Sequence, residues 1–238
     1  MEYGESGDHL FLPFFAKQCT KLKPPFCASV FTVSSHHPFK IPKELAGKFE
    51  KGKIDIHKSM RYADYSLREF FKEAAKQPWY NNTVFVITGD HTYTPYYDDY
   101  KTTVGAFSVP LIFFTPDGSL KGFNTRTAEQ IDVMPTVLSY LNYNEPYFAF
   151  GKNLLDTTVA NIAINYIGNT FQLIWDKWLL QHDMTNTVGL YNLSTDPLQK
   201  NNLAGKNPEV QLRMEQKVKA VIQQYNNRMI ENRMTNED

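Results

Sequence analysis

Two short clusters of polar residues directly follow apolar runs of the sequence. Asp90 and His91 follow the run at 83–88, and Ser34-Ser35-His36-His37-Pro38-Phe39 follows the run at 26–33. Because ligands of open α/β sheets bind beyond the carboxyl ends of the strands, both clusters are expected at an active-site edge. A carboxylate and an imidazole suit a divalent ion such as Mn²⁺ or Zn²⁺. A histidine at the same edge could bind an anionic oxygen, transfer a proton or ligate a metal.

Each cluster also has a structural interpretation. Asp90 could shape a turn while His91 faces solvent, and two ligands do not by themselves make a catalytic metal site. Of His36 and His37, one could be satisfied in the core and the other exposed to solvent. The local pattern leaves both interpretations open.

Apolar periodicity predicts alternating strands and helices over residues 1–156. Continuous apolar runs predict buried strands at 26–33, 83–88 and 109–114. Helical spacing predicts helices at 56–77 and 129–141. Strands that alternate with helices indicate an α/β fold whose mostly parallel sheet is flanked by helices.

Residues 157–238 are predicted to form a second, smaller domain. Four short β-rich runs separated by turn residues predict an antiparallel meander at 163–167, 170–175, 178–182 and 188–193. Asn207 followed by Pro208 predicts the start of a last helix over 208–230, with a capping residue and a proline at its first position.

Composition excludes several classes of protein. The chain has 238 residues, with 25 Lys and Arg against 25 Asp and Glu, so its formal net charge is zero. This balance argues against binding to nucleic acid through bulk electrostatics. No apolar run approaches the ~18 residues of a membrane helix. The two cysteines, Cys19 and Cys27, have neither a disulfide framework nor a C-x-x-C metal spacing.

A longer pattern resembles a known family. The run from Phe70 to His91 is similar to the second half of the sulfatase-type catalytic domain of the alkaline phosphatase superfamily, most closely to its lipoteichoic acid synthase (phosphoglycerol transferase) group. Ser35-His36-His37-Pro38-Phe39 resembles the N-H-x-P-F stretch of that family. Further family phrases follow in order at 109–114, 130–136, 189–193 and 201–204. The resemblance covers nearly the whole chain, from about residue 3 to residue 204.

The resemblance implies roles for four residues. Asp90 and His91 match the pair that ligates the catalytic divalent metal, with Mn²⁺ expected first and Mg²⁺, Ca²⁺ or Zn²⁺ as alternatives. His36 matches the catalytic histidine that contacts the phosphate or another anion of the substrate. His37 occupies the variable position before the proline and is expected to line the same substrate site.

The resemblance also implies a function. The chain is expected to be the C-terminal portion of a metal-dependent enzyme acting on phosphate or sulfate esters linked to a lipid or a glycan. The nucleophile and the remaining acidic ligand belong to an N-terminal half that these residues do not include, so this portion alone should be inactive. Neither Cys19 nor Cys27 begins the C-x-P-x-R motif of formylglycine sulfatases. The alternatives are an arylsulfatase-like hydrolase of sulfuric esters and a catalytically dead binding module that keeps the fold.

Family membership carries two expectations about partners and location. The whole protein is expected to be anchored in the membrane with an extracytoplasmic catalytic domain in the cell envelope, although these residues contain no signal or transmembrane segment. The missing N-terminal half is the expected partner, and a sheet edge exposed in its absence would allow self-association.

Overall fold

The computed structural model describes residues 7–235, and it shows an α/β fold. These residues divide into two compact units, one formed by 7–85 and 113–121 and the other by 86–112 and 122–235. The domain boundary expected at residue 156 stays a prediction. The helices are α1 (Asp8–Cys19), α2 (Ile56–Ala74), α3 (Val133–Tyr140) and α4 (Pro208–Ile230). The strands are β1 (Phe85–Thr88), β2 (Leu111–Phe114), β3 (Ile162–Ile167), β4 (Thr170–Trp175), β5 (Trp178–His182) and β6 (Thr187–Asn192).

Helix α1 was not predicted from the sequence, and it contains Pro13 although proline normally disrupts a helix interior. Its buried residues include Leu12, Ala16 and Cys19, which recur at the spacing of one helix face. This face packs against α2, where Leu12 and Ala16 join Phe70 and Ala74 in the core of the first unit.

Helix α2 confirms the predicted helix at 56–77, but its buried face differs from the predicted apolar stripe. Met60 belongs to that stripe and is 56% exposed, whereas Tyr62 is fully buried. The buried face also contains Ser59 and Ser66, whose hydroxyls donate to backbone carbonyls of their own helix. Serine can therefore replace an apolar residue there without leaving an unsatisfied polar group.

The strand predicted at 26–33 is wrong. These residues form an irregular segment, and Phe31 and Val33 are 70% and 50% exposed. A strand forms only when a neighbouring strand pairs with its backbone groups, and none of the strands in residues 7–235 pairs with this segment. The apolar composition of the segment gives it a high strand propensity, but a strand also needs a neighbouring strand to pair with.

Strands β1 and β2 confirm the other two predicted strands of the α/β region, in shorter form. They pair with each other in a two-stranded sheet. Strand β2 begins at Leu111, immediately after Pro110, whose nitrogen has no hydrogen to donate to a ladder. The helix predicted at 129–141 is present as a 3₁₀ turn at Gln130–Asp132 followed by α3.

The meander and the last helix are both confirmed. Strands β3 to β6 form a four-stranded antiparallel sheet in sequence order. Its apolar face packs against α4, and the core consists of Leu173, Leu180, Leu190, Met214 and Val218, all fully buried. Helix α4 begins as predicted, since the Asn207 side chain accepts a hydrogen bond from the Val210 amide and proline occupies the first turn.

Within residues 7–235, none of the helices is both long enough and apolar enough to cross a membrane.

Candidate active site

Asp90 and His91 lie in the loop that follows β1, where the sequence places the candidate metal ligands. The Oδ2 atom of Asp90 and the Nε2 atom of His91 are 3.4 Å apart, so both side chains point to one spot. The two side chains are 54% and 70% exposed, respectively. The pair is therefore open to an ion and to a substrate from solvent.

The backbone fixes the orientation of both side chains. The Nδ1 atom of His91 lies 2.7 Å from the carbonyl oxygen of Thr92, and because a carbonyl can only accept, Nδ1 must carry the proton. Nε2 is then the ring nitrogen that remains for a ligand. Oδ1 of Asp90 accepts a hydrogen bond from the His91 amide at 2.9 Å, which leaves Oδ2 for a ligand. A ring N–H donated to a carbonyl is the usual arrangement behind a metal-binding histidine.

The pair fits a divalent ion in both chemistry and spacing. Two ligands at about 2.1 Å from one tetrahedral ion are about 3.4 Å apart, close to the observed separation. A carboxylate oxygen with an imidazole nitrogen suits Mn²⁺ and Zn²⁺. Within residues 7–235, however, no group of three or more His, Cys, Asp or Glu side chains could hold a metal. Asp90 and His91 are thus two candidate ligands, whereas catalytic sites have three or more.

A third side chain contacts the backbone of this loop. The Nε2 atom of Gln130 donates to the carbonyl oxygens of Gly89 at 2.6 Å and Asp90 at 3.1 Å. Gly89 is not required there for its conformational freedom, since its φ is not left-handed and an added Cβ would make ordinary contact with Val109. The side chain of Gln130 therefore restrains the loop where it leaves β1.

Gln130 lies between Glu129 and Asp132 in the sequence, and both of these residues make hydrogen bonds in a largely buried polar network. Asp132 is 1% exposed and accepts hydrogen bonds from the Glu129 amide and from both the amide and the ammonium of Lys152. The ammonium also donates to the carbonyl of Ile162. This network joins the 3₁₀ turn before α3 to the first strand of the meander.

Glu129 connects the same turn to β3 through a second contact. One of its carboxylate oxygens accepts a hydrogen bond from the Ile164 amide at 2.8 Å. Burial raises the pKa of Glu129 from 4.5 to about 7, and the charge of Asp132 raises it further, while the Ile164 amide and Lys152 oppose the shift. Near neutral pH, a substantial fraction of the Glu129 carboxyl groups is therefore protonated and uncharged.

The loop after His91 is also anchored to the meander. Its Thr103 hydroxyl donates to the Gln199 side chain at 2.6 Å and accepts from the Gln181 amide at 2.9 Å. Nearer Asp90 and His91, the Thr92 hydroxyl donates to the carbonyl of Ala106. The loop also contains four exposed tyrosines, Tyr93, Tyr96, Tyr97 and Tyr100, which are between 41% and 60% exposed.

His36 and His37 lie in the first unit and are both exposed. The Nδ1 atom of His36 donates to the carbonyl of His37 at 2.9 Å, which leaves Nε2 as the ring nitrogen for a substrate oxygen. The His37 ring contacts Phe39 edge to face. The segment is tethered where it begins, because the Ser34 amide donates to the buried carboxylate of Asp8. The roles of His36 and His37, and their convergence with Asp90 and His91, stay predictions.

Sequence reasoning gave no role to Gln130, Glu129, Asp132 and Lys152. The spacing of two acidic residues around Gln130, immediately before an apolar run, resembles a capping box and could have indicated a helix start. Nothing in the local sequence indicates that Gln130 contacts Gly89, 41 positions earlier. This contact depends on the fold.

Comparison with known proteins points to one family. The model of the family described as Sulfatase matches residues 1–143. Among curated proteins, the chain is similar to lipoteichoic acid synthase 1 of Bacillus subtilis, with 32% identity over 174 residues. That match covers 62% of this chain and 27% of the relative, so the chain spans about a quarter of the relative's length.

Solved structures show the same fold. A protein of the alkaline phosphatase superfamily from Vibrio parahaemolyticus has a TM-score of 0.66 at 22% identity, covering 87% of this chain and 55% of that one. The phosphonate monoester hydrolase of Agrobacterium radiobacter has a TM-score of 0.62 at 15% identity, covering 92% of this chain and 62% of that one. The chain therefore spans little more than half of each structure.

Proposed function

Since the chain belongs to the sulfatase family, we propose that it forms one part of the active site of a metal-dependent enzyme acting on phosphate or sulfate esters. In this proposal Asp90 and His91 supply two of the ligands of the catalytic divalent ion, with Mn²⁺ as the first candidate. His36 and His37 contact the anionic group of the substrate. The nucleophile and the other ligands come from residues outside this chain.

One observation carries the proposal. Oδ2 of Asp90 and Nε2 of His91 are 3.4 Å apart, and the other nitrogen of the His91 ring donates to the Thr92 carbonyl. The arrangement supports a pair prepared to bind one ion.

The chemistry follows from the residues present. A divalent ion, when bound, polarises an oxygen of the phosphoryl or sulfuryl group and lowers the pKa of the nucleophile. Asp90 and His91 orient that ion, since both side chains are fixed by backbone groups. His36, when protonated, can offset the negative charge that develops on the group being transferred.

Of the two ester classes, we favour phosphate esters. Curated relatives are named lipoteichoic acid synthases, which supports a phosphoglycerol transferase acting on a lipid- or glycan-linked substrate in the cell envelope. The second candidate is a hydrolase of sulfuric esters, and the description of the matching family as Sulfatase favours it.

Metal titration tests the ligand pair. Isothermal titration of the 238-residue chain with Mn²⁺ should show weak binding, because two donors hold an ion less firmly than a complete site. Asp90→Asn and His91→Ala should each lower the affinity at least about tenfold. The matched control is Asp64→Asn, which changes an exposed aspartate on α2 and should leave affinity unchanged. Equal affinity in all four proteins would contradict the proposal.

Ester hydrolysis tests the partial site. The chain alone, supplied with Mn²⁺, should hydrolyse neither p-nitrophenyl phosphate nor p-nitrophenyl sulfate. Fusion to the N-terminal half of a sulfatase-type catalytic domain should restore turnover, and the ester that is hydrolysed distinguishes the two candidates. In that fusion His36→Ala should reduce turnover while Mn²⁺ remains bound. Turnover by the chain alone, lost in Asp90→Asn, would show that a complete site exists within it.

A catalytically dead binding module remains the alternative from another class. Turnover of either ester by the fusion protein would contradict the binding-module alternative. Binding of Mn²⁺ without turnover would support it.

A further inference from the structure

We propose that Gln130 is a positioning residue, which holds the backbone at Gly89 and Asp90 so that Asp90 and His91 point to the same ion. The inference rests on the proposed role of that pair as metal ligands. It assigns a role to a side chain that itself contacts neither the ion nor the substrate.

The contact geometry is specific. A single amide nitrogen of Gln130 lies 2.6 Å from the carbonyl oxygen of Gly89 and 3.1 Å from that of Asp90. In an extended strand, successive carbonyls point in opposite directions, so one amide reaches both only where the chain turns. The side-chain NH₂ has two hydrogens, enough to donate one to each carbonyl. The two bonds therefore select the turned conformation of the loop.

The loop needs such a restraint because it is exposed. The side chains of Asp90 and His91 are 54% and 70% exposed, and their closest polar partners are each other and the Thr92 carbonyl. A mobile loop would have to be ordered at the moment of metal binding, and that loss of conformational entropy would weaken affinity. A loop that is already ordered avoids this loss.

Gln130 is well placed to act as a fixed point, because the turn that carries it is rigid. The preceding residue, Glu129, binds the Ile164 amide of β3. Asp132, two residues after Gln130, is buried and pairs with Lys152 at 2.8 Å. Strand β3 of the meander thus restrains the turn at 129–132, and Gln130 in that turn restrains the loop that contains Asp90 and His91. This gives the small antiparallel sheet an indirect role in the site.

A positioning role predicts a local effect with little change in stability. Gln130 is exposed, so its replacement leaves no cavity, and water can solvate the two released carbonyls. Gln130→Met keeps a similar size but removes both donors. The matched control is Gln224→Met, the same change at an exposed position on α4.

The experiment combines three measurements on the full 238-residue chain. Gln130→Met should lower the affinity for Mn²⁺ about tenfold in isothermal titration. Backbone ¹⁵N relaxation by NMR should show lower order parameters for residues 89–92, from about 0.85 to below about 0.6, without added metal. The Tm should change by less than about 2 °C. Gln224→Met should change none of the three.

The outcomes separate this inference from the proposed function. If the unmodified chain binds Mn²⁺ and Gln130→Met has the same affinity and the same order parameters, the positioning role is overturned. If the unmodified chain binds no Mn²⁺, the proposed ligand pair fails, and the order parameters of residues 89–92 alone decide whether Gln130 orders the loop. A large fall in Tm with lower order parameters throughout the chain would show a general structural role and would also overturn the inference.

Discussion

Replacement of Glu129 by glutamine should remove a pH dependence from the stability of this chain. Burial raises the pKa of Glu129 from 4.5 to about 7 in the folded protein. Between these two pH values, the folded protein keeps the proton while the unfolded chain has released it, so stability falls as pH rises. The contribution is complete below about pH 4.5 and is lost once the pH passes about 7.

The magnitude follows from the size of this shift. At about 1.36 kcal/mol per pH unit, a rise from 4.5 to about 7 corresponds to a loss of roughly 3 kcal/mol. In Glu129→Gln the new side chain would still offer an oxygen to the Ile164 amide and would have no charge to desolvate at any pH. The difference in unfolding free energy between Glu129→Gln and the unmodified chain should therefore grow by roughly 2–3 kcal/mol between about pH 5 and about pH 8.

Urea unfolding followed by circular dichroism at several pH values measures this difference. All other titrating groups are common to both proteins and cancel in the comparison. Glu145→Gln, at an exposed position, controls for the loss of one carboxylate. A difference that stays constant over this pH range would refute the reasoning, because it would mean that the folded protein does not desolvate the Glu129 carboxylate.

Three further replacements are compared by urea unfolding. Asp132→Ala leaves the largely buried ammonium of Lys152 without its carboxylate and should cost about 3–5 kcal/mol. Asp64→Ala breaks an exposed pair and should cost less than about 1 kcal/mol; equal costs would contradict the buried network. Gly105→Ala should cost more than about 2 kcal/mol, since an added Cβ would overlap the backbone carbonyl of Asp99. An unchanged unfolding free energy for Gly105→Ala would show that the loop relaxes freely.

Elements whose signal is contained in neighbouring residues were predicted well. The turns of the meander separate short β-rich runs, and all four strands occur within one residue of the predicted bounds. Helix α4 occupies the predicted range, because Asn207 and Pro208 mark its start in the sequence itself. Helix α1 was not predicted, and Pro13 argues locally against a helix that packing against α2 stabilises.

The segment at 26–33 was predicted to be a strand but does not form one. Its composition has the propensity of a buried strand, yet Phe31 is 70% exposed and the segment is irregular. Strand formation is a property of a pair of segments, and the sequence of one segment does not reveal whether a second is present. The buried face of α2 differs from its apolar stripe for a related reason, since Ser59 and Ser66 satisfy their own hydroxyls within the helix.

For the candidate site, the sequence by itself determined which residues are available and where they fall along the chain. It placed Asp90 and His91 directly after a strand and next to each other in the chain. The family phrases around them could be recognised because residue types and their order are properties of the sequence alone.

Only the tertiary structure decided how that pair is held. The choice of ring nitrogen depends on the Thr92 carbonyl, and the turn of the backbone depends on Gln130, which is 41 positions from Gly89. The raised pKa of Glu129 depends on its burial in the folded chain. The contacts of Gln130 and Glu129 join residues that are distant in sequence, and their energies come from exclusion of water and from geometry, which exist only after the chain has folded.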